Sequence, residues 1–378
     1  MGRKATFLSL LAFVASVLAG GEGCIPHRPS SSSTTTAPTS TSTWTTKTST
    51  VSTSSAPSST ATPALPAPCA APFEYASGDC MVKLGDLSYL LSVRGSKKDN
   101  PKIFAVAPPW GIHSDYHLAA MKPFERDYTF VFLTPAGNSP SERPANPLDI
   151  SVTQSAPALE LLREFLGLDK IHVQGHSAGG STALLYAEEY PDRVASLTLL
   201  ETCLEDYDDS ATFNQFLTQW SNDTRYQSAI ASLGPVLNVS DPNYPQTDAA
   251  FANALFAILP LYFSEPQVYE KLLVQELSSE PRAPDVYANT ENTISINSGI
   301  MAPNFAKLSN VRAPTLVSVG QNDMFCSENV AKIIHKGIGS SQLHVFENSG
   351  HFPWYEKKDE FYRTIAEFWL THVKGSGY

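Results

Sequence analysis

From Lys102 onward the chain alternates short apolar runs with longer amphipathic stretches, and this limits the fold more than any other feature of its 378 residues. "KIFAVAPP" and "YTFVFLTPAG" read as buried strands, each ended by proline. "DYHLAAMKPFERD", between them, has helical character. "TQSAPALELLREFLGLD" is an amphipathic helix with Ala158, Leu161, Leu162, Phe165 and Leu166 on one face and Gly167 after the last turn. "KIHVQGHS" is a third strand, "GGSTALLYAEEYPDRV" a helix stopped by Pro191, and "VASLTLLE" a fourth strand. The alternation then breaks. From about Glu201 to Asn310 the pattern is helical and irregular, rich in proline and aromatic residues. It resumes with "APTLVSVG", "SENVAKIIHKG", "QLHVFENSG" and "EKKDEFYRTIAEFWLTHV" as strand, helix, strand and helix. Such repetition predicts an α/β fold, a mostly parallel sheet with helices on both faces. The 201–310 insertion is too long for an ordinary loop and is expected to be a cap or lid. Ahead of the alternation, "CMVKLGDLSYLLSVRG" carries two β-like runs around Gly85-Asp86, which predicts a hairpin.

The N-terminal part has a different character. Arg3 and Lys4 precede an apolar run from Ala5 to Ala19 and then Gly20-Gly21, the pattern of a signal peptide over residues 1–19. The run is short for a membrane span. An uncleaved signal anchor is the alternative, and it leaves the rest of the chain on the same side of the membrane. No other apolar stretch reaches span length, and the polar end "LTHVKGSGY" lacks a lipid-anchor tail. Residues 20–68 form a stalk dominated by Ser, Thr, Ala and Pro, which cannot bury a core and is expected to be disordered and O-glycosylated. The folded domain is expected over 69–378. Cys69 and Cys80 can close a short loop at its front, while Cys24 is a candidate for a free thiol. Asn222 and Asn238 begin N-glycosylation sequons. Together these features point to a secreted or cell-wall-associated protein. A formal net charge of -11 argues against a nucleic-acid partner, because phosphate binding needs clustered Lys and Arg. No metal-ligand spacing is present, and no metal or cofactor is expected.

Gly175-His176-Ser177-Ala178-Gly179 lies between a predicted strand and a predicted helix. A serine in that turn sits at a helix N-terminus, where backbone N–H groups and the positive end of the dipole face a developing oxyanion. Its hydroxyl needs a base, and the base needs an orienting acid. His351 in "FENSGHFPW" and Asp323 in "VSVGQNDMF" both follow strands, at the sheet edge where Ser177 emerges. Glu201 and Glu205 are rival acids. His176 reads as structural. His113 and His117 read as local hydrogen-bonding residues, with His113 able to touch substrate.

"GHSAGGSTALLYAEEYPDRV", "VGQNDMF" and "NSGHFPWYE" resemble the α/β-hydrolase superfamily, closest to its lid-bearing, proline-iminopeptidase-like and small-esterase branches. The resemblance runs from about Cys80 to the end. It implies the α/β-hydrolase fold with a helical lid, and Ser177 as nucleophile, Asp323 as acid and His351 as base, in that family's chain order. It also implies an oxyanion hole with one donor at the Ala178 N–H. The second donor comes from the loop after the early strand, where relatives carry His-Gly or His-Gly-Gly-Pro-Gly. Here that loop reads "APPWGIHSDY", which puts Pro109, a residue without an N–H, at the usual donor position. Trp110 is then the candidate second donor, its indole lining the acyl pocket; an impaired hole is the alternative. In this fold the strands before Cys203 and Cys326 are neighbours, so a disulfide there would tie the start of the lid to the Asp323 loop. The implied activity is a secreted serine hydrolase cleaving an ester, lactone or amide of a small molecule. The lid run "ANALFAILPLYF" suits a partly apolar substrate. An iminopeptidase-type aminopeptidase is one alternative, with Glu201, Glu205 and Asp206 as candidates to hold a free amine. Tailoring of a natural product is another, and a non-catalytic surface binding protein on the same fold is a third.

Overall fold

Strands covered on both faces need side chains that are apolar in both directions, and the central segments of this chain supply them. The computed structural model describes residues 65–95, 99–204, 206–279, 284–298 and 305–374. The expected signal peptide, nearly all of the stalk, Cys24 and Glu205 lie outside the described residues. Eight strands form one sheet: β1 (Gly78–Leu84), β2 (Leu87–Arg94), β3 (Lys102–Val106), β4 (Thr129–Leu133), β5 (Ile171–His176), β6 (Val194–Leu200), β7 (Thr315–Gly320) and β8 (Ser341–Phe346). Their spatial order is β1-β2-β4-β3-β5-β6-β7-β8. From β4 through β8 every neighbouring pair is parallel. β1 and β2 form the expected antiparallel hairpin, and β2 joins the rest antiparallel to β4. This is the α/β-hydrolase fold, with a mostly parallel sheet and flanking helices.

Alternation along each strand splits the core in two. Phe104, Val106, Val131 and Leu133 point into one apolar cluster, and Ile103, Ala105, Phe130 and Phe132 into another. Helices α2 (Val152–Phe165) and α3 (Ala178–Glu189) cover the first face. On the second face lie α1 (Asp115–Met121) and the C-terminal helix, whose Phe361, Ile365 and Trp369 are buried. The face of α2 differs from the expected one. It buries Val152, Ala156, Ala158, Leu159 and Leu162, whereas Leu161 and Phe165 are exposed. Residues ahead of β1 share that edge: the Phe73 ring meets Phe165 edge-on at 6.5 Å.

Between β6 and β7 the described residues form no strand. They form α4 (Ser210–Trp220), α5 (Gln227–Ala231), α6 (Leu233–Leu237), α7 (Asp248–Ile258), α8 (Pro266–Ser279) and α9 (Val286–Ser298). This insertion has its own core of Leu217, Trp220, Tyr226, Leu233, Phe251 and Leu261, into which Met324 of the β7 loop projects. Asn222 is exposed on it, and Asn238 is half-buried with its side-chain oxygen accepting from the Ser240 N–H. The Cys69–Cys80 disulfide is present. Pairing with β1 begins ahead of it, inside the expected stalk, where the Met81 N–H donates to Ala67 O at 2.9 Å. No helix among the described residues is long and apolar enough to cross a membrane.

Candidate active site

Ser177 stands between the end of β5 and the start of α3 with φ 58° and ψ -131°. A side-chain-bearing residue in that region is strained and must be held by its surroundings. The Ser177 N–H donates to Leu200 O at 3.0 Å, while Ser177 O accepts from the Gly180 N–H at 2.9 Å. The flanking glycines are required by close approach. A β-carbon at Gly175 would overlap the Gly179 carbonyl, one at Gly179 the Val106 carbonyl, and one at Gly180 the Thr202 hydroxyl.

Asp323 and His351 follow β7 and β8 and meet beside this turn. His351 Nδ1 lies 2.6 Å from Asp323 Oδ2, and both side chains are buried. The other Asp323 oxygen accepts two backbone bonds, from the Phe325 and Cys326 N–H groups at 3.0 Å each. An acceptor held this way puts the proton on Nδ1 and leaves Nε2 as the basic nitrogen. The backbone of His351 is held on both sides. Its N–H donates to Tyr262 O at 2.8 Å, and its carbonyl lies 3.0 Å from His176 Nε2. His176 Nδ1 in turn lies 3.0 Å from the Tyr116 hydroxyl. Burial, then the neighbouring His351 and His117, hold the His176 pKa well below its ordinary value. The neutral ring therefore donates from Nε2 and accepts at Nδ1. Sequence reasoning left His176 as a structural residue and missed this contact; no local signal in the chain links it to a loop 175 positions away.

His117 departs from expectation. Both of its ring nitrogens lack a hydrogen-bond partner among the described residues, and burial lowers its pKa to about 3. The ring is instead held by aromatic contacts, stacked on Trp354 and edge-on to Phe132. His113 is buried and has an interaction partner.

Of the rival acids, Glu201 is fully buried with φ 44°. Its Oε1 accepts from the Ser318 hydroxyl at 3.2 Å, and Oε2 lies 3.9 Å from His176 Nε2. Burial first, then the charge of Asp323, push its carboxyl well above the ordinary value, which favours the neutral form. Asp206 is exposed and accepts from the Phe305 N–H at 3.1 Å.

The Cys203–Cys326 disulfide joins the loop after β6 to the loop of Asp323. Cys326 Sγ is 4.0 Å from Ser177 Oγ. Asp323, Cys326 and His351 offer ligand-type atoms within 4.8 Å of one another, but the disulfide leaves Cys326 no thiolate to coordinate a metal.

The loop after β3 is pinned through three carbonyls. Pro108 O accepts from Asn138 Nδ2 at 3.0 Å, Trp110 O from Asn289 Nδ2 at 3.3 Å, and Gly111 O from the Asp285 N–H at 2.7 Å. Gly111 has φ 70°, and a β-carbon there would overlap the Asp285 carbonyl, so the start of α9 rests directly on this loop. Among the described residues, neither the Trp110 N–H nor the Ala178 N–H has a protein acceptor.

A family described as alpha/beta hydrolase fold matches residues 110–358. The chain is 27% identical over 296 residues to the proline iminopeptidase of Thermoplasma volcanium, covering 77% of this chain and 96% of that protein. It is 26% identical over 224 residues to a 2-hydroxy-6-oxononadienedioate/2-hydroxy-6-oxononatrienedioate hydrolase of Pseudomonas putida, covering 58% of this chain and 69% of that one. Among solved structures it is similar to the enol-lactonase of Burkholderia xenovorans, with a TM-score of 0.57 and 16% identity over 77% of this chain and 99% of that chain.

Proposed function

The chain belongs to the alpha/beta hydrolase fold family, and from that premise we propose that it is a secreted serine hydrolase that cleaves an ester, lactone or amide through an acyl-enzyme on Ser177. The observation that carries this reading is the buried Asp323–His351 pair beside a serine held at φ 58° on a helix N-terminus. His351 Nε2 takes the Ser177 proton as Oγ attacks the carbonyl carbon. Asp323 stabilises the imidazolium that forms, and the proton then passes to the leaving group. Water repeats the sequence on the acyl-enzyme. The Ala178 and Trp110 N–H groups, both without an acceptor among the described residues, are the donors for the oxyanion. Proline at 109 moves the loop donor to Trp110, and the three pinned carbonyls fix that peptide in place. Two disulfides suit an oxidising, extracellular compartment.

A small, partly apolar ester or lactone fits better than an N-terminal amino acid. An iminopeptidase-type enzyme needs carboxylates facing the substrate amine. Of the candidates, Glu201 is fully buried and bonded to Ser318, Asp206 is exposed and engaged with Phe305, and Glu205 lies outside the described residues. The iminopeptidase reading is nevertheless retained, because several similar proteins carry that name. The test has two parts. A fluorophosphonate probe labels the mature chain, and the label disappears in Ser177→Ala. No labelling of the native protein points to a non-catalytic binding protein. A panel of aryl esters, lactones and proline amides then ranks the substrate classes, and turnover confined to proline amides would overturn the ester preference.

A further inference from the structure

We propose that Glu356 is a positioning residue for the catalytic base, acting through the turn of the lid at residues 262–265. The proposal rests on the serine-hydrolase reading above. Glu356 ends a short helical turn that follows His351 (α11, Pro353–Glu356, placed after the Glu328–Gly337 helix α10). Its carboxylate gathers four donors from two parts of the chain. Oε1 accepts from the Ser264 and Glu265 N–H groups at 2.8 and 3.1 Å. Oε2 accepts from the Gly350 N–H at 2.5 Å and the Ser349 hydroxyl at 3.2 Å. One side chain thus joins the lid to the residues immediately before His351.

Further contacts tie the same turn to the same machinery. Tyr262 O accepts the His351 N–H, and a β-carbon on Gly350 would overlap that carbonyl. Asn322, beside Asp323, donates its side-chain amide to Ser264 Oγ at 2.9 Å. The Asn322 N–H donates to Ser349 O at 2.8 Å, so the acid and base loops are also joined directly. The Tyr262 ring stacks on Phe325 with centroids 4.1 Å apart. The turn at 262–265 is therefore part of the frame that sets the separation of Asp323 and His351, rather than a flap over a finished site. Carboxylate acceptors of backbone N–H bonds are stronger than neutral ones, which suits Glu356 for holding two segments at fixed distance. If the turn swung away from the core, the base would lose the Tyr262 carbonyl, and the lid contacts of Glu356 would open with it.

Glu356→Gln tests the assignment. The amide has the same shape, but it must present an NH2 group to N–H donors on one side. Three readouts separate positioning from simple stability: kcat and KM on p-nitrophenyl acetate, the fluorophosphonate labelling rate, and the low-field proton resonance of the His351–Asp323 bond. The expected result is a folded protein with kcat down roughly 10- to 100-fold, KM within about twofold, and the low-field resonance shifted or broadened away. If Glu356→Gln fails to fold, Ser349→Ala removes one of the four donors that hold the Glu356 carboxylate, and it should lower kcat about threefold with the same movement of the resonance. Wild-type kcat and an unmoved resonance in a folded variant would overturn the proposal. So would a loss of kcat that only tracks the unfolded fraction. If the native protein is not labelled at all, the serine-hydrolase reading fails, and the low-field resonance still reports on the positioning role.

Discussion

Replacing Asp323 by Asn asks which carboxyl serves the base, and the structure sets the direction of the answer. Asp323 Oδ1 accepts two backbone N–H bonds, from Phe325 and Cys326. An Asn side chain must keep its oxygen on those donors, since an NH2 group there would face two N–H groups. Its NH2 is then forced towards His351 Nδ1, where the native carboxylate accepts at 2.6 Å. Nδ1 must accept, the proton moves to Nε2, and Nε2 can no longer take a proton from Ser177. A triad locked in that tautomer loses about 10⁴ in kcat, which is about 5.5 kcal/mol of transition-state stabilisation. Glu201→Gln is the control. Glu201 Oε1 already takes the Ser318 hydroxyl, Oε2 has no hydrogen-bond partner among the described residues, and burial favours its neutral form. Swapping a neutral carboxyl for an amide of the same shape should change kcat less than about threefold. Steady-state hydrolysis of an aryl ester, with the labelling rate of the fluorophosphonate probe as a measure of the first chemical step, reads both variants. A larger loss in Glu201→Gln than in Asp323→Asn would refute the reasoning and transfer the acid role to Glu201.

Other perturbations test the frame around the site. Cys203 and Cys326 are 123 positions apart, so opening that disulfide by Ser substitution at both should cost about 2–5 kcal/mol in urea unfolding, with reduced activity because the acid loop loses its restraint. An unchanged unfolding midpoint would argue that the bond contributes nothing to stability. Gly179→Ala puts a methyl group against the Val106 carbonyl, whereas Gly234→Ala meets its nearest atom at 3.9 Å. The first should lose about 3 kcal/mol or more and the second should remain soluble and active, as judged by thermal melting. His117 stays neutral in the folded protein down to about pH 3, while the unfolded chain takes up a proton below about pH 6.5, so native stability falls as pH drops through that window. In His117→Phe that loss is absent, and the stability difference from wild type should move in favour of the variant by about 2 kcal/mol between pH 7 and pH 5. A difference that stays constant with pH would mean that His117 takes up its proton in the folded state as readily as in the unfolded chain.

The sequence by itself determined the sheet, because side-chain periodicity is local. Ile103-Phe104-Ala105-Val106 and Phe130-Val131-Phe132-Leu133 are short, apolar at every position and soon followed by proline, which suits a strand covered on both faces. The turn at Ser177 was legible in part for the same reason, since the need for Gly175 arises at Gly179, within a few residues of the serine, whereas the need for Gly179 comes from the Val106 carbonyl of a neighbouring strand. Tertiary structure alone decided which face α2 buries, because Ala156, Leu159 and Leu162 pack into the cluster of Phe104, Val131 and Leu133 from strands earlier in the chain, while Phe165 stays exposed. Glu201 and Asp323 look alike in the sequence, each an acid shortly after a strand. What separates them is that the Asp323 loop turns two backbone N–H groups onto the carboxylate, whereas Glu201 is sealed in beside the Ser318 hydroxyl and the His176 ring. The contacts of His176, Tyr262 and Glu356 around His351 were likewise invisible, for a hydrogen-bond partner is chosen by proximity in the folded chain, and proximity across such separations is made only by packing.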